Sequence, residues 1–394
     1  MERIFLEILG AAVAGKTWQG SDLTEEQWTQ VFALAKRHDV LPMVYQAVYR
    51  QPSAAALPGA IKMAVRQQVI TQTMKTEAFL ALYRYLREKQ IPCMVVKGIL
   101  CRSLYPNPDH RRSSDEDLIV PPEAYDAACE ALEAYGMTCA AEDPEERDYR
   151  MAGSPLHIEL HANLFVTDSE AYGDWNRLFT GLWDRAVCRE FGDMEILGPN
   201  HTDHLLYLIC HAYKHFLHSG FGLRQVADMA LYANAWGSEI CWEHVLEKCQ
   251  QIRGAHFAAT LFAIAERYLT FDPVRACYPA SWKEYALETD PLLEDLFGAG
   301  VFGGATESRR HSSNMTLNAV TEGKPNLLSQ VFPPKRKLEK QFPYLQDKGW
   351  LLPVAWTQRL WRYATNLRKD NDPTEAVKIG NQRVALLRQY KIID

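Results

Sequence analysis

At Ile91 the rhythm of apolar residues in this chain changes. Before it, segments such as Glu25 to Arg37 and Ile61 to Lys89 carry apolar side chains three and four residues apart, which predicts helices. After it the apolar runs are short and rich in β-branched residues. Ile91 to Lys97 (IPCMVVK) stops at Gly98, as a buried strand does, and a short helical stretch follows from Ile99 to Tyr105. Beyond the polar turn PNPDHRRSS a second strand runs from Asp115 to Val120. Pro121 and Pro122 end it, and Pro122 suits the first turn of a helix over 123–135 that Gly136 closes. Further short strands are predicted at 137–142, 147–151, 156–162 and 194–197. From His201 helical spacing returns, over 201–217, 222–235, 241–252 and 254–270, with a more irregular stretch near 297–340. The expected architecture is α+β, with a core at 91–198 set between helical regions at 1–90 and 199–394.

Composition narrows the function classes. Hydrophobic residues are 47% and charged residues 23%, enough apolar matter for a large core. With 43 basic and 49 acidic residues the net charge is −6, which argues against a whole-surface attraction to nucleic acid or an anionic membrane. No uninterrupted apolar run approaches the roughly 18 residues of a membrane span. Glu2 and Glu7 interrupt the apolar letters at the N-terminus, where an export signal would carry a basic segment. The nine cysteines include no C-x-x-C pair. An odd set without that spacing suits reduced thiols, so a cytoplasmic location is expected.

The chemistry concentrates in three places. Asp115 and Asp117 are two apart on a predicted strand and project to one side. Two carboxylates about 5 Å apart repel by about 3 kcal/mol at an effective dielectric near 20. A divalent cation removes that penalty, and oxygen-only ligands favour a hard ion such as Mg2+. The spacing alone is common in a chain with 49 acidic residues, and a solvated strand start is the plain alternative. What raises the pair is the apolar strand directly after it and the strand–glycine–helix unit Val95-Val96-Lys97-Gly98 upstream. A glycine there lets backbone amides approach a phosphate, and Lys97 adds a point charge, although an ordinary strand-to-helix turn reads the same way.

The third place is Leu156 to His161, which alternates cleanly, with His157, Glu159 and His161 on the polar face. A sheet that set Glu159 beside Asp115 and Asp117 would complete a three-carboxylate site. A solvated face, or a transition-metal site at His157, Glu159 and His161, remains open. Downstream, His211, Lys214 and His215 share one helix face. They read as a basic wall across a nucleotide cleft, as capping and core histidines, or, with Asp228, as the metal cluster of a phosphohydrolase.

Taken in order, Lys97-Gly98, Leu104-Tyr105-Pro106, Arg111 four residues before Asp115, Asp115-Glu116-Asp117 and Ile158-Glu159-Leu160-His161 resemble a known family. It is the uncharacterised bacterial nucleotidyltransferase family of the DNA polymerase beta superfamily. His38-Asp39-Val40 with Leu41-Pro42 is similar to its N-terminal helical segment. His211-Ala212-Tyr213-Lys214-His215, followed by Arg224 and Asp228, resembles its C-terminal helical signature, and Leu351-Leu352-Pro353 with Arg359 its tail.

The resemblance implies a small mixed sheet whose Gly98 turn faces the triphosphate of an NTP, with ATP the expected donor. Asp115 and Asp117 would hold two Mg2+ ions, with Glu159 as the third carboxylate. Lys97 and Arg111 would offset charge on the β/γ-phosphates, or Arg111 would pair with a carboxylate of the Asp-Glu-Asp turn. The implied reaction moves a nucleoside monophosphate to an acceptor hydroxyl and releases pyrophosphate. The acidic net charge favours a small molecule or a protein as acceptor over RNA. One departure matters: the wider superfamily usually has Gly or Ser after the glycine, whereas Ile99 follows Gly98 here. The lost hydroxyl would leave the triphosphate to backbone amides and nearby cations. It also keeps open a catalytically degenerate nucleotide-binding module whose helices serve a partner.

Overall fold

A computed structural model describes residues 1–51, 53, 59–143, 145–169, 171–300, 309, 312, 315–317, 319–320, 335–338, 342–366 and 373–394. Four helices come first: α1 (Glu2–Val13), α2 (Glu25–Arg37), α3 (Leu41–Val48) and α4 (Gly59–Glu88). A reciprocal cap starts α2, in which the Thr24 hydroxyl accepts from the Gln27 amide and the Gln27 side chain accepts from the Thr24 amide. The core then runs β1 (Met94–Val96), α5 (Gly98–Arg102), β2 (Glu116–Ile119), α6 (Tyr125–Ala134), β3 (Thr138–Asp143), β4 (Glu146–Arg150) and β5 (His157–His161). The five strands form one mixed sheet in the order β1-β2-β5-β4-β3, in which only β2 and β5 pair in parallel. A separate hairpin joins β6 (Val187–Phe191) to β7 (Met194–Gly198). The main helices that follow are α7 (His201–Leu217), α8 (Leu223–Trp236), α9 (Trp242–Gln251), α10 (Ala255–Tyr268), α11 (Asp290–Ala299), α12 (Leu352–Asn366) and α13 (Pro373–Gln389). Among the described residues, no helix is long and apolar enough to cross a membrane.

The α+β class and the mixed sheet agree with expectation, with two differences. Strand β6 escaped the sequence reading because Arg189 and Glu190 break its apolar run. The irregular stretch near 297–340 lies mostly outside the described residues.

The pleat sorts the sheet's side chains into two jobs. On one face Val95, Leu118, Tyr149, Ile158 and Leu160 pack with Phe79, Leu82, Tyr83 and Leu86 of α4 and with Leu132 of α6. On the other, Met94, Val96 and Ile119 join the larger cluster that unites α1–α3 with α7–α10. That second face also carries Asp117, Glu159 and the two histidines of β5.

Glu116, between Asp115 and Asp117, points to the first face and is fully buried. Its carboxylate accepts from Arg102 Nη1 (2.7 Å), the Ser113 hydroxyl (2.7 Å) and the Ile99 amide (3.0 Å). Breaking a buried ion pair strands the remaining charge and costs about 3–5 kcal/mol. Glu116→Ala is expected to lose that much unfolding free energy in urea, and a loss under about 1 kcal/mol would mean that Arg102 finds another partner.

His38 gives a pH signature. Its buried ring stacks on Phe5 (5.7 Å), and Nδ1 accepts from the Leu223 amide at 3.4 Å. Burial, with a smaller contribution from Arg37, holds its pKa at about 3 instead of 6.5. The unfolded chain therefore takes up a proton that the folded one refuses, and stability falls as the pH drops from about 6.5 to about 3. In urea titrations across that window, His38→Gln should flatten the slope by up to one proton. Parallel slopes for the two proteins would contradict this.

Candidate active site

Strand β1 delivers Lys97 into a turn with φ +53°, a strained conformation for a residue with a Cβ. Tertiary contacts hold it there. The Lys97 amide donates to His204 Nε2 of α7 at 3.2 Å, and the Ile99 amide donates to Glu116. Gly98, at φ +34°, has no alternative, because a Cβ there would overlap the Glu116 carboxylate. Two turn amides expected to meet a phosphate are thus already engaged inside the protein. Ile99 itself is fully buried in the cluster behind the sheet, which is why an apolar residue stands where a hydroxyl was expected.

The parallel register of β2 and β5 sets Asp117 directly opposite Glu159. Asp115, just before β2, lines the same cavity as Asp117, near enough to Glu159 for each carboxyl to shift the pKa of the other. Ligand atoms of Asp117, Glu159 and His161 lie within 4.8 Å of one another. His161 Nε2 is 3.4 Å from Asp117 and 3.7 Å from Glu159, and its Nδ1 is 3.4 Å from Glu146. Lys97 Nζ is 2.9 Å from Asp117 Oδ2. His161 thus stands beside these oxygen donors, a nitrogen that the oxygen-only expectation did not include.

Electrostatics follow from this packing. Burial disfavours the Glu159 charge and raises its pKa, with Asp117 and Asp115 adding to the rise. Asp115 is also desolvated, yet Lys97 and the hydrogen bond from the Ser114 hydroxyl outweigh that and hold it low. Burial opposes the charges of His161 and Lys97 too, but the carboxylates win in both, lifting His161 to about 9 and Lys97 well above its ordinary value. Both remain cationic at neutral pH. The expected carboxylate repulsion is thus offset from within the chain.

A cavity of about 30 Å³ separates the Gly98 turn from α7 and α8, lined by Lys97, Asp115, Asp117, His211, Arg224 and Gln225 among others. That is more than the roughly 10–15 Å³ one water needs. Arg224 and Gln225 are at least nine-tenths buried, and Arg224 Nε and Gln225 Nε2 have no hydrogen-bond partner. Arg111 also borders the cavity, but its guanidinium grips Asp228 at 2.6 and 3.1 Å rather than the Asp-Glu-Asp turn. The Tyr105 hydroxyl donates to the same carboxylate at 2.8 Å.

Helix α7 brings His211 Nε2 to 3.1 Å from Lys97 Nζ, and His215 Nε2 to 3.2 Å from His211. Burial, then Lys97, pushes both pKa values down, His215 to about 3. They are neutral at pH 7, so Lys214, half-buried with its own pKa lowered by burial, is the cation of that expected wall. With both Asp228 oxygens engaged, the phosphohydrolase cluster does not form. Among the described residues, neither metal-capable group includes His211 or His215.

Sequence reasoning passed over the residues that hold the loop before Asp115. Lys75 of α4 donates to the carbonyls of Ser113 (2.8 Å) and Ser114 (2.7 Å), and Gln72 accepts from the Ser113 amide (2.9 Å). Asp39 pairs with Arg112 and with Arg224 (2.6 Å), tying α2 to this loop and to α8. His38-Asp39 and Arg224 stood out in the sequence, but nothing in it pointed to Lys75 or Gln225.

Carboxylates from two strands, facing one another beside a strand–glycine–helix turn, are the makings of a phosphoryl-transfer site. A family described as uncharacterised nucleotidyltransferase matches residues 24–270, well over half the chain, and the protein belongs to it. No curated protein matches the chain, and no solved structure does.

Asp117→Asn tests the charge balance. Because Asp117 serves Lys97 and His161, its neutralisation should lower the stability of metal-free protein by about 1–3 kcal/mol. A gain in stability would mean that repulsion from Asp115 and Glu159 dominates.

Proposed function

We propose that this protein moves a nucleoside monophosphate from an NTP, ATP foremost, to an acceptor hydroxyl and releases pyrophosphate. In this reading it is a member of the DNA polymerase beta superfamily acting in the cytoplasm. Two Mg2+ ions would be held by Asp115, Asp117 and Glu159. The observation that carries the reading is the facing of Asp117 and Glu159 across β2 and β5, with Asp115 beside Asp117 on the same cavity. The oxygens of Asp115, Asp117 and Glu159 suit a hard cation, and the Lys97 ammonium already stands 2.9 Å from Asp117 in a position that calls for positive charge. Bound ions would offset charge on the transferred phosphoryl group and lower the pKa of the acceptor hydroxyl.

The chain's own groups take the other roles. Glu159, with its raised pKa, receives the acceptor proton. Lys97 supplies positive charge to the departing pyrophosphate, and neutral His211 keeps its ammonium aimed. Arg224 Nε and Gln225 Nε2 offer free donors for phosphate oxygens. Arg111, neutralised by Asp228, shapes the phosphate cavity. Lys214 and His215 lie further along α7, toward the acceptor. In the proposed division into 1–90, 91–198 and 199–394, the acceptor, a small molecule or a protein rather than RNA, enters between the second and third parts.

One observation favours the degenerate reading instead, namely that the Lys97 and Ile99 amides are committed to His204 and Glu116. Calorimetry with NTP and Mg2+, beside a pyrophosphate-release assay over a broad acceptor panel, separates the two. Transfer predicts release, reduced at least about a hundredfold by Glu159→Gln. Binding without release for every acceptor would support the degenerate module. Gln225→Glu keeps the oxygen that accepts from the Gly222 amide but replaces the free donor with a carboxylate. It should raise KM for the NTP about tenfold or more, along with the loss of thermal stability that a buried carboxylate brings. An unchanged KM would remove Gln225 from the phosphate site.

A further inference from the structure

The sheet face that carries the active carboxylates continues onto β4, and there a second donor group forms. Asp148 stands opposite Glu159 in the antiparallel β4–β5 register, and His157 lies two residues before Glu159 on the same side of the pleat. Ligand atoms of Asp148, His157 and Glu159 lie within 4.8 Å of one another, with His157 Nε2 3.3 Å from Asp148 Oδ1. That contact is not aligned as a hydrogen bond, and His157 Nε2 is shielded from solvent without any hydrogen-bond partner. Glu159 thus belongs to two adjoining three-donor groups, one with Asp117 and His161, the other with Asp148 and His157.

The two groups differ in what they lack. Asp117 already has the Lys97 ammonium at 2.9 Å. Asp148, among the described residues, has no ion-pair partner but His157. A half-buried carboxylate and an orphaned imidazole nitrogen side by side call for a cation that the chain does not supply. An imidazole with two carboxylates is a donor set for Zn2+, whose coordination such a trio leaves open at one position, whereas Mg2+ prefers oxygen alone.

We propose that Asp148, His157 and Glu159 form a separate Zn2+ site whose occupation draws Glu159 away from Asp115 and Asp117. Zinc would then inhibit the protein by competing for a shared carboxylate rather than by replacing the active cations. The site itself stands independently of the transfer reaction, and only the inhibition rests on the proposed function.

Calorimetry with ZnCl2 and with MgCl2 on the metal-free full-length protein tests the site. The wild type should bind Zn2+ more tightly than Mg2+ here. His157→Ala and the near-isosteric Asp148→Asn should each weaken one equivalent of Zn2+ at least about tenfold, while Asp117→Asn leaves that equivalent within about threefold. Melting temperatures near the wild type's would show that the variants fold, and Asp148→Asn serves if His157→Ala does not. Zn2+ affinity unchanged in both variants would overturn the proposal, as would loss of the tight equivalent in Asp117→Asn alone. In a pyrophosphate-release assay with Mg2+ present, added Zn2+ should slow the wild type and spare His157→Ala. Equal inhibition of the two would overturn the competition for Glu159. Should no release occur at all, the transfer reading fails while the binding comparison still decides the site.

Discussion

The parallel pairing of β2 with β5 governs everything at this site. It sets Asp117 across from Glu159, and because successive side chains alternate, the same pairing turns Glu116 to the opposite face. A slip of one residue would exchange the two acids, burying the one that faces the cavity and exposing the one that locks the core. The lock prevents the slip. Glu116 is held by Arg102, Ser113 and the Ile99 amide, so the residue between the two aspartates fixes which way they point. Gly98 belongs to that lock as much as to any phosphate, since the Glu116 carboxylate occupies the space of its missing Cβ.

Part of the negative charge at the site is offset before any cation arrives. Lys97 and His161 remain cationic because carboxylates surround them, and the strained Lys97 turn is held by His204 behind it. The histidines of α7 contribute shape and hydrogen bonding rather than charge, since burial keeps them neutral. Distant parts of the chain steady the loop that presents Asp115. Lys75 grips its carbonyls from α4, and Asp39 bridges Arg112 and Arg224. Glu159, in reach of Asp117 and of the Asp148–His157 pair, is the residue whose allegiance decides what the face does.

Much of this was legible in the sequence. Helical spacing gave Glu25–Arg37 and His201–Leu217 at their observed bounds, because both are amphipathic or capped in ways that local pattern records. Strict alternation over 156–161 announced which side Glu159 would take. Contacts made across long stretches of chain were not legible. Arg111 meets Asp228 rather than the nearby acids, and the Ile99 amide turns inward to Glu116 because the sheet packs on α4 behind it. The charge state of His211 was equally hidden, since it depends on burial and on an ammonium from another element.

The most direct test is diffraction from crystals soaked with Mn2+ and a non-hydrolysable NTP, using the anomalous signal of manganese to locate the ions. Manganese coordinated by Asp117 and Glu159, with the triphosphate running past Lys97 toward Arg224, is the expected result. Nucleotide bound elsewhere, or manganese touching neither carboxylate, would contradict it.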